Sequence, residues 1–148
     1  MEDICIFTPT YNRAHTLSLL FESLVGQNSQ RFYWLVVDDG STDETEALIK
    51  RFSLASPFRV VYVKQENGGK QRAYNTGVEH CESELFFCVD SDDVLVPSAV
   101  ETILNAWEAY RADASVAGLV GLCGRDENTP LGTGMPQSSG TITFWDLY

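Results

Sequence analysis

Apolar residues gather in short runs at 4–8 (Ile-Cys-Ile-Phe-Thr), 32–37 (Phe-Tyr-Trp-Leu-Val-Val), 58–63 (Phe-Arg-Val-Val-Tyr-Val) and 85–89 (Leu-Phe-Phe-Cys-Val). Each is rich in β-branched or aromatic residues, the mark of a buried strand. Between the first two, Leu17, Leu20, Phe21, Leu24 and Val25 recur at the spacing of one apolar helix face, with Asn12 as the expected N-cap. A second helix is predicted after Gly40, where Ser41-Thr42-Asp43-Glu44 fits a capping box and Thr45, Leu48, Ile49 and Phe52 form the stripe. Pro97 is expected to open another helix, because its missing N–H is harmless in a first turn, with Val100, Ile103, Leu104, Trp107 and Tyr110 facing inward.

With a last strand near 116–123, strands and helices alternate throughout. That order predicts an α/β fold: a Rossmann-like, mostly parallel sheet flanked by helices. At 148 residues the chain has the size of one domain, 1–148, able to bury a real core. The composition shifts to Gly, Pro, Ser, Thr and Asn over 124–140, which predicts a long surface loop. Residues 141–148 read as the start of an unfinished element, so the chain is expected to be truncated at its C-terminus relative to a longer protein.

Lys and Arg total 10 against 21 Asp and Glu, for a net charge of -11, and no basic block is present to track phosphates. A nucleic-acid partner is not expected. The four cysteines show no CxxC spacing and three lie in apolar runs, which predicts reduced, buried thiols in a cytoplasmic protein. The N-terminus lacks the pattern of a signal peptide and no apolar stretch approaches the ~20 residues of a membrane span. A peripheral position at the inner membrane face is left open, through a continuation of the chain.

In an open parallel sheet, ligands bind beyond the carboxyl ends of the strands. Here those ends are polar: 8–13, Asp38-Asp39-Gly40-Ser41, 67–72 and Asp90-Ser91-Asp92-Asp93. Carboxylates placed two apart after a buried strand suit a hard cation such as Mg²⁺ or Mn²⁺, with phosphate oxygens and water completing its shell. Asp38 and Asp39 must face opposite ways, so one is expected in the crevice, accepting a hydrogen bond from a base N–H or a ribose hydroxyl. Gly68 and Gly69 would let the backbone approach a ligand while Lys70 or Arg72 balances its charge. His15 and His80 have no partner at metal spacing and read as surface or structural residues.

Together these segments resemble the family-2-type glycosyltransferases of the GT-A fold. Four motifs carry the resemblance: 9–13 (Pro-Thr-Tyr-Asn-Arg), 37–43 (Val-Asp-Asp-Gly-Ser-Thr-Asp), 67–77 (Asn-Gly-Gly-Lys-Gln-Arg-Ala-Tyr-Asn-Thr-Gly), and Asp90-Ser91-Asp92-Asp93 with Pro97. The resemblance covers 4 to about 110 and implies the nucleotide-sugar-binding part of such an enzyme. It places Pro9, Thr10, Tyr11, Arg13, Asp39, Gly69, Lys70, Arg72, Asn75, Asp90 and Ser91 around the donor. Tyr11 would lie against the base, Asp39 would hydrogen-bond it, and Asp90 would be near the ribose. Asp92 would hold the metal. Tyr74 departs from the pattern, since many members carry Arg before the Asn.

What the resemblance implies is transfer of a sugar from a nucleoside diphosphate, UDP above all, to a saccharide or lipid-linked acceptor hydroxyl, metal-assisted and with inversion. The catalytic base is expected beyond residue 148, since Asp93 should point back into the fold; residues 1–148 should then bind nucleotide but transfer slowly. Two rival readings are a haloacid-dehalogenase-like phosphatase and a non-catalytic nucleotide- or sugar-binding module. The first keeps its Asp-x-Asp on an early strand, whereas here Asp38 and Asp39 come first.

Overall fold

The computed structural model describes residues 2–121, 123–126 and 129–131. Its elements run β1 (Ile4–Thr10), α1 (Ala14–Val25), β2 (Phe32–Asp38), α2 (Thr45–Ala55), β3 (Val60–Lys64), α3 (Lys70–Glu79), β4 (Leu85–Cys88), α4 (Ala99–Tyr110), β5 (Gly124–Asp126) and β6 (Thr129–Pro130). The chain divides into two compact units, Met1–Glu101 and Thr102–Tyr148. Among the described residues no helix is long and apolar enough to cross a membrane.

The first unit holds a parallel sheet in the order β3-β2-β1-β4. Every residue of β1 and β2 is buried, because helices cover both faces of the sheet's centre. Side chains alternate between the faces. Cys5, Phe7, Tyr33, Leu35 and Val37 pack on one side with Ala73 of α3. Trp34 on the other side meets Phe21 of α1 and Phe52 of α2, whose rings stack 4.1 Å apart. The Trp34 indole, itself fully buried, donates to Thr8 Oγ1 at 3.0 Å. Gly77 lets α3 press onto β1: a Cβ there would lie 2.4 Å from the Phe7 ring.

β3 and β4 are only half-buried, as edge strands are. After three strands laid outward, the chain returns to the far side of β1 for β4, so the order reverses between β1 and β4. Such a switch point opens a crevice beyond the strand ends.

The predicted parallel α/β fold is found, with several local corrections. β1 runs on to Thr10, and β3 starts at Val60 rather than at 58. Asn12 does not cap α1: it lies at φ 51, where a short polar side chain is tolerated, and its amide turns to the next loop. The box at 41–44 does not form because the Ser41 hydroxyl accepts from the Asn12 N–H instead, at 2.8 Å. Pro97 sits in a turn before α4, its carbonyl accepting from Asn28 N–H at 2.8 Å. Val25 is exposed, at the frayed end of its helix face.

No strand forms over 116–121, where Leu119 and Val120 are exposed; Gly118 and Gly121 beside them weaken a strand, since glycine has no side chain to pack. Part of the expected loop at 124–140 is instead the antiparallel pair β5 and β6. The rest of that loop, 132–140, and the expected element at 141–148 lie outside the described residues. All four cysteines are free, but only Cys5 is fully buried and Cys123 is exposed. Burial pushes the Cys5 thiol up to about 12.

Candidate functional site

The loops that leave β1 and β2 hold each other. Asn12 N–H donates to Ser41 Oγ, and Asn12 Oδ1 accepts the backbone N–H groups of Thr42 at 2.8 Å and Asp43 at 3.3 Å. Asp43 answers by accepting the Ala14 N–H at 3.1 Å, which satisfies an open donor at the start of α1. Burial alone would raise the Asp43 carboxyl, but bonds from Thr45 and Ala14 outweigh it and hold it low. This mutual bracing fixes Tyr11 and Arg13 at the crevice mouth.

Asp38 and Asp39 divide as alternation requires. Asp38 turns inward, fully buried, accepting the Ser41 N–H at 2.7 Å and the Tyr62 hydroxyl. Burial, that bond to Asp38 and nearby carboxylates push the Tyr62 hydroxyl up. Asp39 lines the crevice. Its Oδ1 accepts Gln65 Nε2 at 2.6 Å and Gly68 N–H at 2.9 Å, and its Oδ2 accepts Gly69 N–H at 2.7 Å. Burial pushes its carboxyl up, yet these donors and the nearby Arg72 charge prevail and hold it below the usual range. The carboxylate thus shapes the 65–69 loop and keeps lone-pair capacity at Oδ2.

The crevice has a volume of about 320 Å³. Its lining combines Pro9, Thr10, Tyr11 and Arg13 from the end of β1 and the loop after it, Asp39 after β2, Lys70 and Ala73 of α3, and Asp90, Ser91 and Asp92 after β4. Lys70 Nζ grips both oxygens of Asp90 at 2.7 and 2.8 Å, a contact that raises the lysine against mild desolvation. Arg13 Nη1 lies 3.4 Å from Asp92 Oδ2. Both pairs are exposed, and such pairs typically contribute about 0–1 kcal/mol, so a better partner can exchange them. The Thr10 hydroxyl is buried and has no hydrogen-bond partner among the described residues.

Of the expected donor residues, three stand outside this lining. Gly69 acts through its N–H on Asp39, and Arg72 folds against Gly68. Asn75 lines an adjoining recess. Asp93 is exposed, not turned into the fold. Burial and then the charges of Asp90 and Asp92 push its carboxyl up. Gln65 and Ala73 were not foreseen. Ala73 falls within the 67–77 motif without being singled out there, and Gln65 has no local signal.

An open parallel sheet with an acidic crevice at its switch point defines an α/β protein with a candidate ligand site there. The profile of glycosyl transferase family 2 matches residues 5–144, and this chain belongs to that family. Glycosyltransferase GlyA of Streptococcus pneumoniae is 34% identical over 115 residues, which are 78% of this chain and 16% of GlyA. S. aureus TarS, solved with UDP-GlcNAc, superposes with a TM-score of 0.68 at 25% identity over 74% of this chain and 32% of that one. The mannosyltransferase PcManGT of Pyrobaculum calidifontis, solved with GDP-Man and Mn2+, gives 0.66 at 28% identity over 76% and 33%. The chain therefore spans about a sixth of GlyA and a third of the two solved chains. The phosphatase reading falls with the family match.

Proposed function

We propose that this chain forms the donor site of a glycosyltransferase that moves a sugar from a nucleoside diphosphate, UDP above all, to an acceptor hydroxyl with inversion. The acceptor is a saccharide or a lipid-linked saccharide. The observation that carries this reading is the switch-point crevice, which gathers Tyr11, a charged Asp39 and exchangeable pairs at Asp90 and Asp92 in one cavity. UDP-GlcNAc and GDP-Man in the two similar structures support a nucleotide-sugar ligand. Free cysteines fit the reducing cytoplasm.

Tyr11, half exposed, supplies a flat face for the base, and Asp39 Oδ2 accepts from a base N–H or a ribose hydroxyl. Lys70 and Arg13 release Asp90 and Asp92 and turn to phosphate oxygens.

The donor set fits Mn²⁺ or Mg²⁺. No cluster of three or more His, Cys, Asp or Glu exists among the described residues, so a cation here needs oxygens from its ligand, as these ions accept. Asp92 would hold it, with Asp90 beside it. When bound, the cation neutralises the departing diphosphate. Without it, a phosphate ~4 Å from an unscreened carboxylate is opposed by about 4 kcal/mol at an effective dielectric of 20.

Calorimetric titration with UDP, in Mn²⁺ and in EDTA, tests the reading. Binding in Mn²⁺ that weakens about tenfold or more in EDTA is expected. Equal affinity in both removes the metal, and no binding in either overturns the proposal.

A further inference from the structure

A second recess, of about 370 Å³, adjoins the crevice and shares Lys70 with it. Its lining is Lys70, Gln71, Tyr74 and Asn75, all exposed. The positions 71, 74 and 75 are i, i+3 and i+4 of α3, so they form one face of one helix.

Tyr74 is fixed there. Its ring meets the buried Phe7 edge-on, with centroids 5.5 Å apart at 87°, and Phe86 of β4 at 5.3 Å and 75°. Two perpendicular contacts hold the ring while 40% of the residue stays open to solvent. The side-chain amides of Gln71 and Asn75 make no hydrogen bond among the described residues. A held, partly exposed aromatic ring flanked by idle amides suits a ligand with one apolar face and a rim of hydroxyls. A pyranose ring has that shape: its axial C–H groups present weakly positive hydrogens to the negative face of an aromatic ring, and its hydroxyls reach amides at the sides.

We infer that the α3 face of Gln71, Tyr74 and Asn75 is a pyranose subsite continuous with the donor crevice, with Tyr74 as the specificity-determining platform. This deepens the proposed nucleotide-sugar reading and rests on it. Continuity through Lys70 argues for a sugar: whatever is attached to a phosphate held near Lys70 is carried to the edge of this recess. A nucleobase would have to lie away from Tyr11 and Asp39.

The test titrates the wild type, Tyr74→Ala and Tyr74→Phe with UDP, with a panel of UDP-hexoses and UDP-N-acetylhexosamines, and with uncharged oligosaccharides in the presence of saturating UDP and Mn²⁺. Tyr74→Ala should leave UDP affinity unchanged, which also shows that the variant is folded. It should weaken at least one sugar-bearing probe by about three- to tenfold, and Tyr74→Phe should keep the wild-type value. Loss confined to the nucleotide sugars assigns the recess to the donor's pyranose; loss confined to the oligosaccharides assigns it to the acceptor's.

If all sugar-bearing probes bind Tyr74→Ala as they bind wild type, or none binds wild type beyond UDP itself, the inference is overturned while the donor-site reading stands. If UDP fails to bind wild type, the donor-site reading has failed first. A concentration-dependent dimer in sedimentation that Tyr74→Ala dissolves would give this face to a second copy and also overturn it.

Discussion

Replacing Asp39 by Asn preserves shape and removes one charge, and its effect can be worked from three hydrogen bonds. The carboxylate accepts Gln65 Nε2 and Gly68 N–H on one oxygen and Gly69 N–H on the other. An amide has one acceptor, so whichever way it turns, an NH₂ group faces an N–H donor. If its oxygen stays with Gln65 and Gly68, the Gly69 N–H meets another donor; if it flips, two donors are stranded. Hydrogen bonds to a charged group contribute about 1.5–3 kcal/mol each. Gly68 and Gly69 are exposed, so water can take over their N–H groups, and the loss should stay near the cost of one such bond, about 2 kcal/mol.

Urea unfolding should therefore show the midpoint of Asp39→Asn lowered by about 1 M, with the slope unchanged. UDP affinity should fall about tenfold or more, because the 65–69 loop and the base contact suffer together. The pH dependence adds a sign. The folded carboxyl is held below its ordinary value, so its contribution is fully present above the unfolded carboxylate range and is lost as pH falls through the folded one. The variant should lack that part of the acid destabilisation. Equal midpoints, equal UDP affinity and equal acid limbs for the two proteins would refute the assignment of Asp39 as the organiser of this loop.

Gly77→Ala sets a gain in helix propensity of about 1 kcal/mol against a Cβ placed 2.4 Å from the Phe7 ring. That ring is buried and packs against both Tyr74 and Phe86, so overpacking of about 1–3 kcal/mol should win and lower the melting temperature, with partial recovery in Gly77→Ala/Phe7→Leu. Thr8→Val strands the buried Trp34 indole N–H and should cost about 1–3 kcal/mol in urea unfolding followed by tryptophan fluorescence, whereas Thr8→Ser, which keeps the acceptor, should cost less.

The sheet's centre was legible because its strands are buried on both faces: 4–8 and 32–37 are nearly unbroken apolar runs rich in β-branched and aromatic residues, as a covered parallel strand needs. Asp39 and the 90–92 carboxylates were legible because they follow such runs. Contacts made across the sequence were not. Asn12 looks like a cap for the helix beside it, yet its amide serves residues 42 and 43, and the helix it precedes is completed by Asp43. Gln65 is an unremarkable polar residue until β3 brings it against Asp39. At 116–121 apolar residues were visible, but Leu119 and Val120 are exposed and no strand forms there.

The placement of β1 between β2 and β4 sets an order of assembly. Ile4 pairs with Phe32 on one side and with Leu85 on the other, so the second pairing closes a much longer stretch of chain. By loop-closure entropy the longer stretch costs about 1 kcal/mol more, and during synthesis its residues also emerge later. The Asn12, Ser41 and Asp43 brace belongs entirely to the early pairing. The growing chain can therefore set the geometry around Tyr11 and Asp38 before Asp90 and Asp92 exist to repel an anion, and the acidic end of the crevice is added last, onto a frame already built.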